Sequence, residues 1–398
     1  MSDLLSASAS PFSRSGEGRR FGILSTFPPT ECGIATFSAA LTAGIIATGA
    51  TVDVVRCGVP PPLEDVSVLG ALAGGCADDP RSAIDVLNAA QVAIIQHEYG
   101  IYDGPDGSAV LGILDGVTTP MIVVAHTVVA SPTAGQRRVL EQVCAAAGAV
   151  VVMTETGRRR LVAGYDVPSS KVVVIPHGAA ISLGERSTPD ESVSNARPRL
   201  LTWGLLGPGK GIEWAIDAVA DLADLEPQLE YVVAGATHPK VREHAGEAYR
   251  DMLTQRAADS AARDCVTFDD GYRDLASLTD LIRSADLVVL PYDSTEQVTS
   301  GVLVDAVAAG RPVVSTAFPH AVELLSSGAG LVVPQRDPAA LSAAIRSVLE
   351  DAELAASMAA EARRLAPALS WNAVARRYDG LAGELLAARQ PARFAARS

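Results

Sequence analysis

The sequence predicts an α/β fold built on two doubly wound parallel sheets, and three observations predict it. Short apolar runs alternate with helical patterns along almost the whole chain, a pace that belongs to parallel sheets joined by helices. A polar, proline-bearing stretch of low apolar content, residues 184–198, interrupts the rhythm, and the alternation restarts after it, as a link between two domains does. Polar side chains (Gln96, His97, Glu98, His126, Thr127 and His177) collect just past the apolar runs, where the carboxyl ends of such strands present ligand sites.

Composition agrees with a soluble globular protein: 398 residues, 48% hydrophobic and 20% charged, enough for two or three domains. The net charge of −14 disfavours nucleic acid and anionic membrane as bulk partners. No apolar run reaches the ~18–20 residues of a membrane span. Residues 1–20, polar and rich in Ser and Arg, lack the apolar core of a secretory signal and read as a tail. Five cysteines at 32, 57, 76, 144 and 265 form no C-x-x-C pair, which points to reduced thiols and a cytoplasmic protein without disulfide frame or zinc site. Arginine outnumbers lysine 29 to 3, a bias associated with GC-rich bacterial genomes, and it makes each lysine conspicuous.

In the first half, a strand over 21–26 leads through a loop containing Gly33 into a helix over 35–47, with Phe37, Leu41 and Ile45 at helical spacing. Strand, glycine loop and helix form an anion-binding pattern, although no G-x-G-x-x-G is present. Strands follow over 52–56, 92–96, 121–125, 150–153 and 171–175, with helices over 81–90, 133–147 and 155–164. His97 and Glu98 follow the 92–96 strand and are candidates for the acceptor side of a ligand cleft. No two histidines share a helix face or a short spacing, so no metal site is expected. The run Gly157-Arg158-Arg159-Arg160 begins a helix and reads as a solvated face.

In the second half, a strand over 199–202 precedes Trp203-Gly-Leu-Leu-Gly-Pro-Gly-Lys-Gly and a helix over 212–223. A strand over 230–234 ends near His238, and a single long helix is expected to run from there to about residue 262. A strand over 265–268 reaches a turn with Gly271 and Tyr272, and a helix covers 274–284. An apolar strand over 287–290 then enters residues 295–315, where a helix starts at Thr299 or Ser300 and ends at Gly310. Its free N–H groups and positive dipole end suit an anion. An edge strand over 330–333 and helices over 338–349, 351–365 and 370–388 complete the chain.

Residues 295–315 resemble the donor site of the retaining GT-B glycosyltransferases of glycosyltransferase family 4. There two carboxylates stand seven residues apart ahead of an Ala-x-x-x-Gly-x-Pro-Val-Val ending. Registered on Gly310-Arg311-Pro312-Val313-Val314, the second acid is Asp305 and the first position holds Gln297, with Glu296 beside it. The 203–211 loop is similar to the family's Gly-Arg-Leu-x-x-x-Lys-Gly phosphate site: Gly204, Lys210 and Gly211 match, Gly209 lies beside the lysine, and Leu205 replaces the arginine. His126 resembles the family's cleft histidine, and Pro176-His177-Gly178 its turn between the halves.

The resemblance, over roughly residues 20–390, implies the GT-B fold. Two Rossmann-like domains face each other across a cleft, an acceptor domain (21–183) and a nucleotide-sugar domain (199–369), and a final helix (370–398 with its tail) crosses back to the first. It implies a retaining hexosyltransferase that moves a hexose from a nucleoside diphosphate sugar, UDP- or GDP-linked, to a hydroxyl acceptor, with no cofactor and no metal. Lys210 and the N–H groups near Ser300, Gly301 and Val302 would meet the diphosphate. His126, Gln297 and Glu296 would meet the sugar, and Asp305 the ribose. Gly33 would face the phosphates from across the cleft. Thr299 and His238 would line the donor pocket, and Gly271 with Tyr272 the base. Peripheral membrane contact through a basic helix occurs in such enzymes; the 157–160 run is the place for it here. Two other readings are a non-catalytic nucleotide-sugar-binding subunit, which Gln297 raises, and a nucleotide-sugar epimerase.

Overall fold

Each sheet is parallel throughout, in a computed structural model that describes residues 18–30, 32–57, 72–73, 80–180, 197–271 and 273–389. Most of the expected tail, residues 184–196 of the expected linker, and Tyr272 lie outside the described residues. The first sheet comprises β1 (Arg20–Ser25), β2 (Thr51–Arg56), β3 (Leu72–Ala73), β4 (Val92–His97), β5 (Met121–Ala125), β6 (Ala149–Val152) and β7 (Val172–Val174). Their order is β3-β2-β1-β4-β5-β6-β7. The second comprises β8 (Arg199–Trp203), β9 (Glu230–Ala234), β10 (Val266–Asp269), β11 (Leu287–Leu290), β12 (Val313–Thr316) and β13 (Gly330–Val333), in the order β10-β9-β8-β11-β12-β13.

The central strands are apolar on both faces because helices cover both faces. Every residue of β4, β5, β11 and β12 is buried. In each sheet the winding reverses once, between β1 and β4 and between β8 and β11. Loops leaving two such strands diverge and open a crevice at the carboxyl edge. The loops after β1, β4, β8 and β11 carry Gly33, Glu98, the 204–211 glycines with Lys210, and residues 296–302, while His126, His177, His238 and Gly271 follow the neighbouring strands β5, β7, β9 and β10 at the same edges.

The last helix, Trp371–Arg389, packs across the first domain, as the GT-B resemblance implies. Its Val374, Ala375, Tyr378 and Ala382 share a core with Phe21, Ile23, Phe37 and Leu41. Ala179 forms an isolated bridge with Ser370 where the chain passes between the domains, and Ala179 N–H donates to Leu369 O at 2.6 Å. One expected element differs. The single helix after β9 is two helices, Pro239–Ala245 and Ala248–Ala258. Gly246 separates them with φ +60, a conformation that ends a right-handed helix and that glycine adopts without a Cβ clash.

Candidate active site

The loop after β8 is shaped by its glycines. Gly211, the N-cap of helix Ile212–Ala220, has φ +65, and a Cβ there would lie 1.9 Å from Pro291 O. Only glycine lets this loop touch the exit of β11. Lys210 N–H closes a turn on Gly207 O at 3.1 Å, and Gly209 O accepts from Asp293 N–H at 3.0 Å. The Lys210 ammonium sits 4.4 Å from the centroid of the Tyr292 ring, a cation–π contact. It forms no ion pair among the described residues, which leaves its charge for a ligand. Gly204 lies against Val302, whose Cγ2 would be 3.5 Å from a Cβ at that position.

The helix facing this loop is Gly301–Ala308, capped by Ser300, whose Oγ accepts from Leu303 N–H at 3.2 Å. The Ser300 N–H is itself occupied: it donates to Nδ1 of His320 at 2.8 Å. Of the three N–H groups assigned to an anion from sequence, Ser300 is therefore spent, while Gly301 and Val302 have no acceptor among the described residues. Asp305, one turn on, accepts from Ala180 N–H at 2.9 Å. Gln297 is folded back, Nε2 donating to Thr299 O at 3.2 Å. Its neighbour Glu296 points the other way, accepting from Ala130 N–H at 2.8 Å and pairing with Arg160 at 3.0 Å in the first domain. That engagement directs the Glu296 carboxylate away from the sugar position read from sequence.

From the first domain, Phe37 anchors an aromatic group. Its ring lies 4.8 Å from His126, 5.0 Å from His177 and 4.9 Å from Trp371, all edge-on. His126 Nε2 donates to Gln96 Oε1 at 2.7 Å, and that bond fixes the ring and its tautomer. His177 Nδ1 donates to Gly178 O at 2.7 Å, leaving Nε2 as an acceptor. That nitrogen faces the helix tip: a Cβ on Gly301 would fall 3.1 Å from it and 3.0 Å from Cε1. Burial holds the His126 imidazole down at about 3, with His177 and His97 adding to the effect, and holds His177 at about 4. His320 is likewise at about 3 through burial and the nearby His177. The three rings are neutral hydrogen-bonding groups at physiological pH.

Of the pair read from sequence as the acceptor side, Glu98 accepts from Tyr99 N–H at 3.0 Å and from the Thr127 hydroxyl. Burial raises its carboxyl pKa, opposed by those bonds and by Lys240. Lys240 approaches from the second domain, its Nζ 3.0 Å from where a Cβ on Gly100 would lie. His97 is different: it is 1% exposed, with no partner for either ring nitrogen among the described residues, against the Tyr99 ring. Its imidazole is sealed inside the domain and reaches no cleft surface. His238 caps its own helix, accepting from Lys240 N–H at 3.2 Å. Burial lowers its pKa, as do Lys240 and Lys210, so it stands near both lysines. Gly271 N–H donates to Asp269 Oδ1 at 3.1 Å within its own turn. Gly33 opens helix Gly33–Ala47, with nothing within 4 Å of a Cβ there.

Sequence reasoning missed Phe37 as the hub of the aromatic group, His320 as the partner of Ser300, and Arg160 and Lys240 as groups reaching between the domains. The rarity of lysine was the one available signal for Lys240.

A family model described as glycosyl transferases group 1 matches residues 197–351, and one described as glycosyltransferase family 4 matches residues 32–183. A D-inositol 3-phosphate glycosyltransferase of Geodermatophilus obscurus is 32% identical over 332 residues, 75% of this chain and 70% of that protein. One from Kineococcus radiotolerans is 30% identical over 59% of this chain and 57% of its own length. In fold the chain is similar to Anabaena HepE, solved in complex with UDP and glucose, with a TM-score of 0.71 at 18% identity over 92% of this chain and 100% of that one. Sucrose-phosphate synthase of Thermosynechococcus elongatus gives 0.71 at 20% identity over 93% and 100%.

Proposed function

The chain belongs to the group 1 glycosyltransferases of glycosyltransferase family 4, and from that premise we propose that it moves a hexose from a nucleoside diphosphate sugar to a hydroxyl acceptor with retention at the anomeric carbon. One observation carries the reading: the Lys210 ammonium, in no ion pair among the described residues, and the N–H groups of Gly301 and Val302, without acceptors among them, belong to a loop and a helix tip that approach at Gly204 and Val302. A cation beside a helix tip suits a diphosphate. These groups stabilise the charge that appears on the leaving phosphate as the glycosidic bond breaks, and being fixed beforehand they need no reorganisation. In this reading they stand in place of a divalent metal.

His126 and His177, neutral and fixed by Gln96 and Gly178, serve as hydrogen-bond partners for sugar hydroxyls and not as acids. Gln297 occupies the position where the family has its first acid, and Asp305 the second. With Glu296 turned to Arg160 and Asp305 accepting from Ala180, transfer on one face of the sugar, with the departing phosphate taking the acceptor proton, needs no carboxylate nucleophile. The acceptor enters on the side of Glu98 and Thr127. UDP is the first base to test, given the HepE complex. A cytoplasmic location is proposed with it, as the composition led one to expect; no helix of the described residues is long and apolar enough to cross a membrane.

The test is a thermal-shift panel of UDP, GDP and ADP and their hexose conjugates on wild type and Lys210→Ala. Ligand binding to the native state raises the midpoint, so one nucleoside diphosphate should raise it in wild type and not in the variant. No shift with any of them overturns the reading. Gln297 keeps a second reading open, a nucleotide-sugar-binding subunit without turnover; donor consumption by the wild-type chain excludes it.

A further inference from the structure

The loop that carries Gln297 is held from the opposite domain. Arg160 lies on helix Glu155–Gly164. Its Nη1 donates to Val128 O (3.4 Å), Glu296 O (3.1 Å) and Glu296 Oε2 (3.0 Å), and its Nη2 to Thr295 O (3.0 Å). Glu296 Oε2 also accepts from Ala130 N–H at 2.8 Å. One guanidinium thus joins the segment just after His126 to the segment just before Gln297. The same helix has a second tie: Glu323 of the second domain accepts from the N–H groups of Glu155 (2.7 Å) and Thr156 (2.8 Å), a carboxylate at the positive helix end.

The neighbouring arginines behave otherwise. Arg158 pairs with Glu155 and Arg159 bonds Thr156, both within their own helix, which is the solvated face that the sequence led one to expect of all three. Arg160 is the exception, 19% exposed against 46% for Glu296. A partly exposed ion pair adds little stability by itself. Three backbone carbonyls on two loops are another matter, because a planar fork of N–H donors fixes their spacing.

We infer that Arg160 is a positioning residue for the transfer reaction: bonded to the carbonyls of Val128, Thr295 and Glu296, it sets the spacing between the His126 loop and the Gln297 loop when the domains are together. The inference rests on the reading of these loops as the donor site. Placement of reacting groups to within an ångström governs the rate, so the effect falls on turnover.

Hydrogen exchange of the full chain, read by mass spectrometry with and without UDP, tests it. In Arg160→Ala the segments 126–130 and 295–299 should exchange about tenfold faster, with the core strands unchanged. Arg160→Lys should restore only part of the protection, since one ammonium cannot serve all these carbonyls at once. With whichever nucleoside diphosphate hexose shifts the wild-type midpoint most, kcat should fall about tenfold to hundredfold and the donor KM stay within about threefold. Adding Glu296→Ala to Arg160→Ala should cost little more, because the two act as one unit. Unchanged exchange in both segments, or an equal rise over the whole first domain, overturns the inference. No shift with any nucleoside diphosphate in wild type would strike at the donor-site reading instead and leave the exchange result standing.

Discussion

The N–H of Ser300 donates to Nδ1 of His320 at 2.8 Å, across 20 residues of sequence and with both groups buried. The bond fixes the tip of helix Gly301–Ala308, and it requires His320 to stay neutral, since a protonated ring has no acceptor nitrogen. His320→Ala leaves a buried donor unpaired. A loss of about 1–3 kcal/mol in stability follows, measured by urea denaturation, together with weaker nucleotide binding from a helix tip that has lost its support.

Acid should unfold this protein early. His126 and His320 are held at about 3, His97 and His177 at about 4, with burial the main cause in each. In the unfolded chain they titrate near the ordinary 6.5, so below that pH the unfolded state binds more protons and stability drops. The contribution of the neutral rings is complete above ~6.5 and is lost as pH falls to about 4 for His97 and His177 and to about 3 for His126 and His320, at up to about 1.4 kcal/mol per pH unit for each ring. Glu98, raised by burial, works in the opposite sense: its folded state keeps a proton longer and partly offsets the loss at low pH. Urea midpoints between about pH 7.5 and 5 report the slope, and a flat profile would contradict the neutral assignments.

Lys210→Ala should abolish the nucleoside diphosphate thermal shift and cut turnover about 10²–10³-fold, the scale of one lost donor to a developing anion. Its effect on stability should be small, because the half-buried side chain lies against the Tyr292 ring, a contact worth about 0.5–2 kcal/mol.

Gly301→Ala places a methyl 3.0 Å from His177 Cε1, tighter than a packed ring tolerates. The ring or the helix tip must shift, costing about 1–3 kcal/mol. Nucleotide affinity and kcat should both fall, and calorimetric titration with UDP separates the binding loss from the loss of stability.

Periodicity made the sheets legible, because buried parallel strands are short runs of Val, Ile and Leu such as β4 and β11. Local signals were legible too: Ser300 as a cap and Gly310 as a helix end both depend on neighbours within a turn. What the sequence withheld depends on distance. Arg160 reads as one of three solvated arginines until Thr295, at |i−j| = 135, comes within reach. Glu296 and Gln297, adjacent in sequence, face different partners, and spacing alone cannot say which one turns inward. The break at Gly246 is not legible in the sequence because one glycine inside a helical pattern is often tolerated; in the structure its positive φ decides.

The pairing of Ala179 with Ser370 has a mechanical meaning. Two passages of the chain between the lobes meet at this one bridge and are bonded there, so they are fastened to each other at a point and are not two independent tethers. Any hinge motion of the lobes has to pass through that fastening.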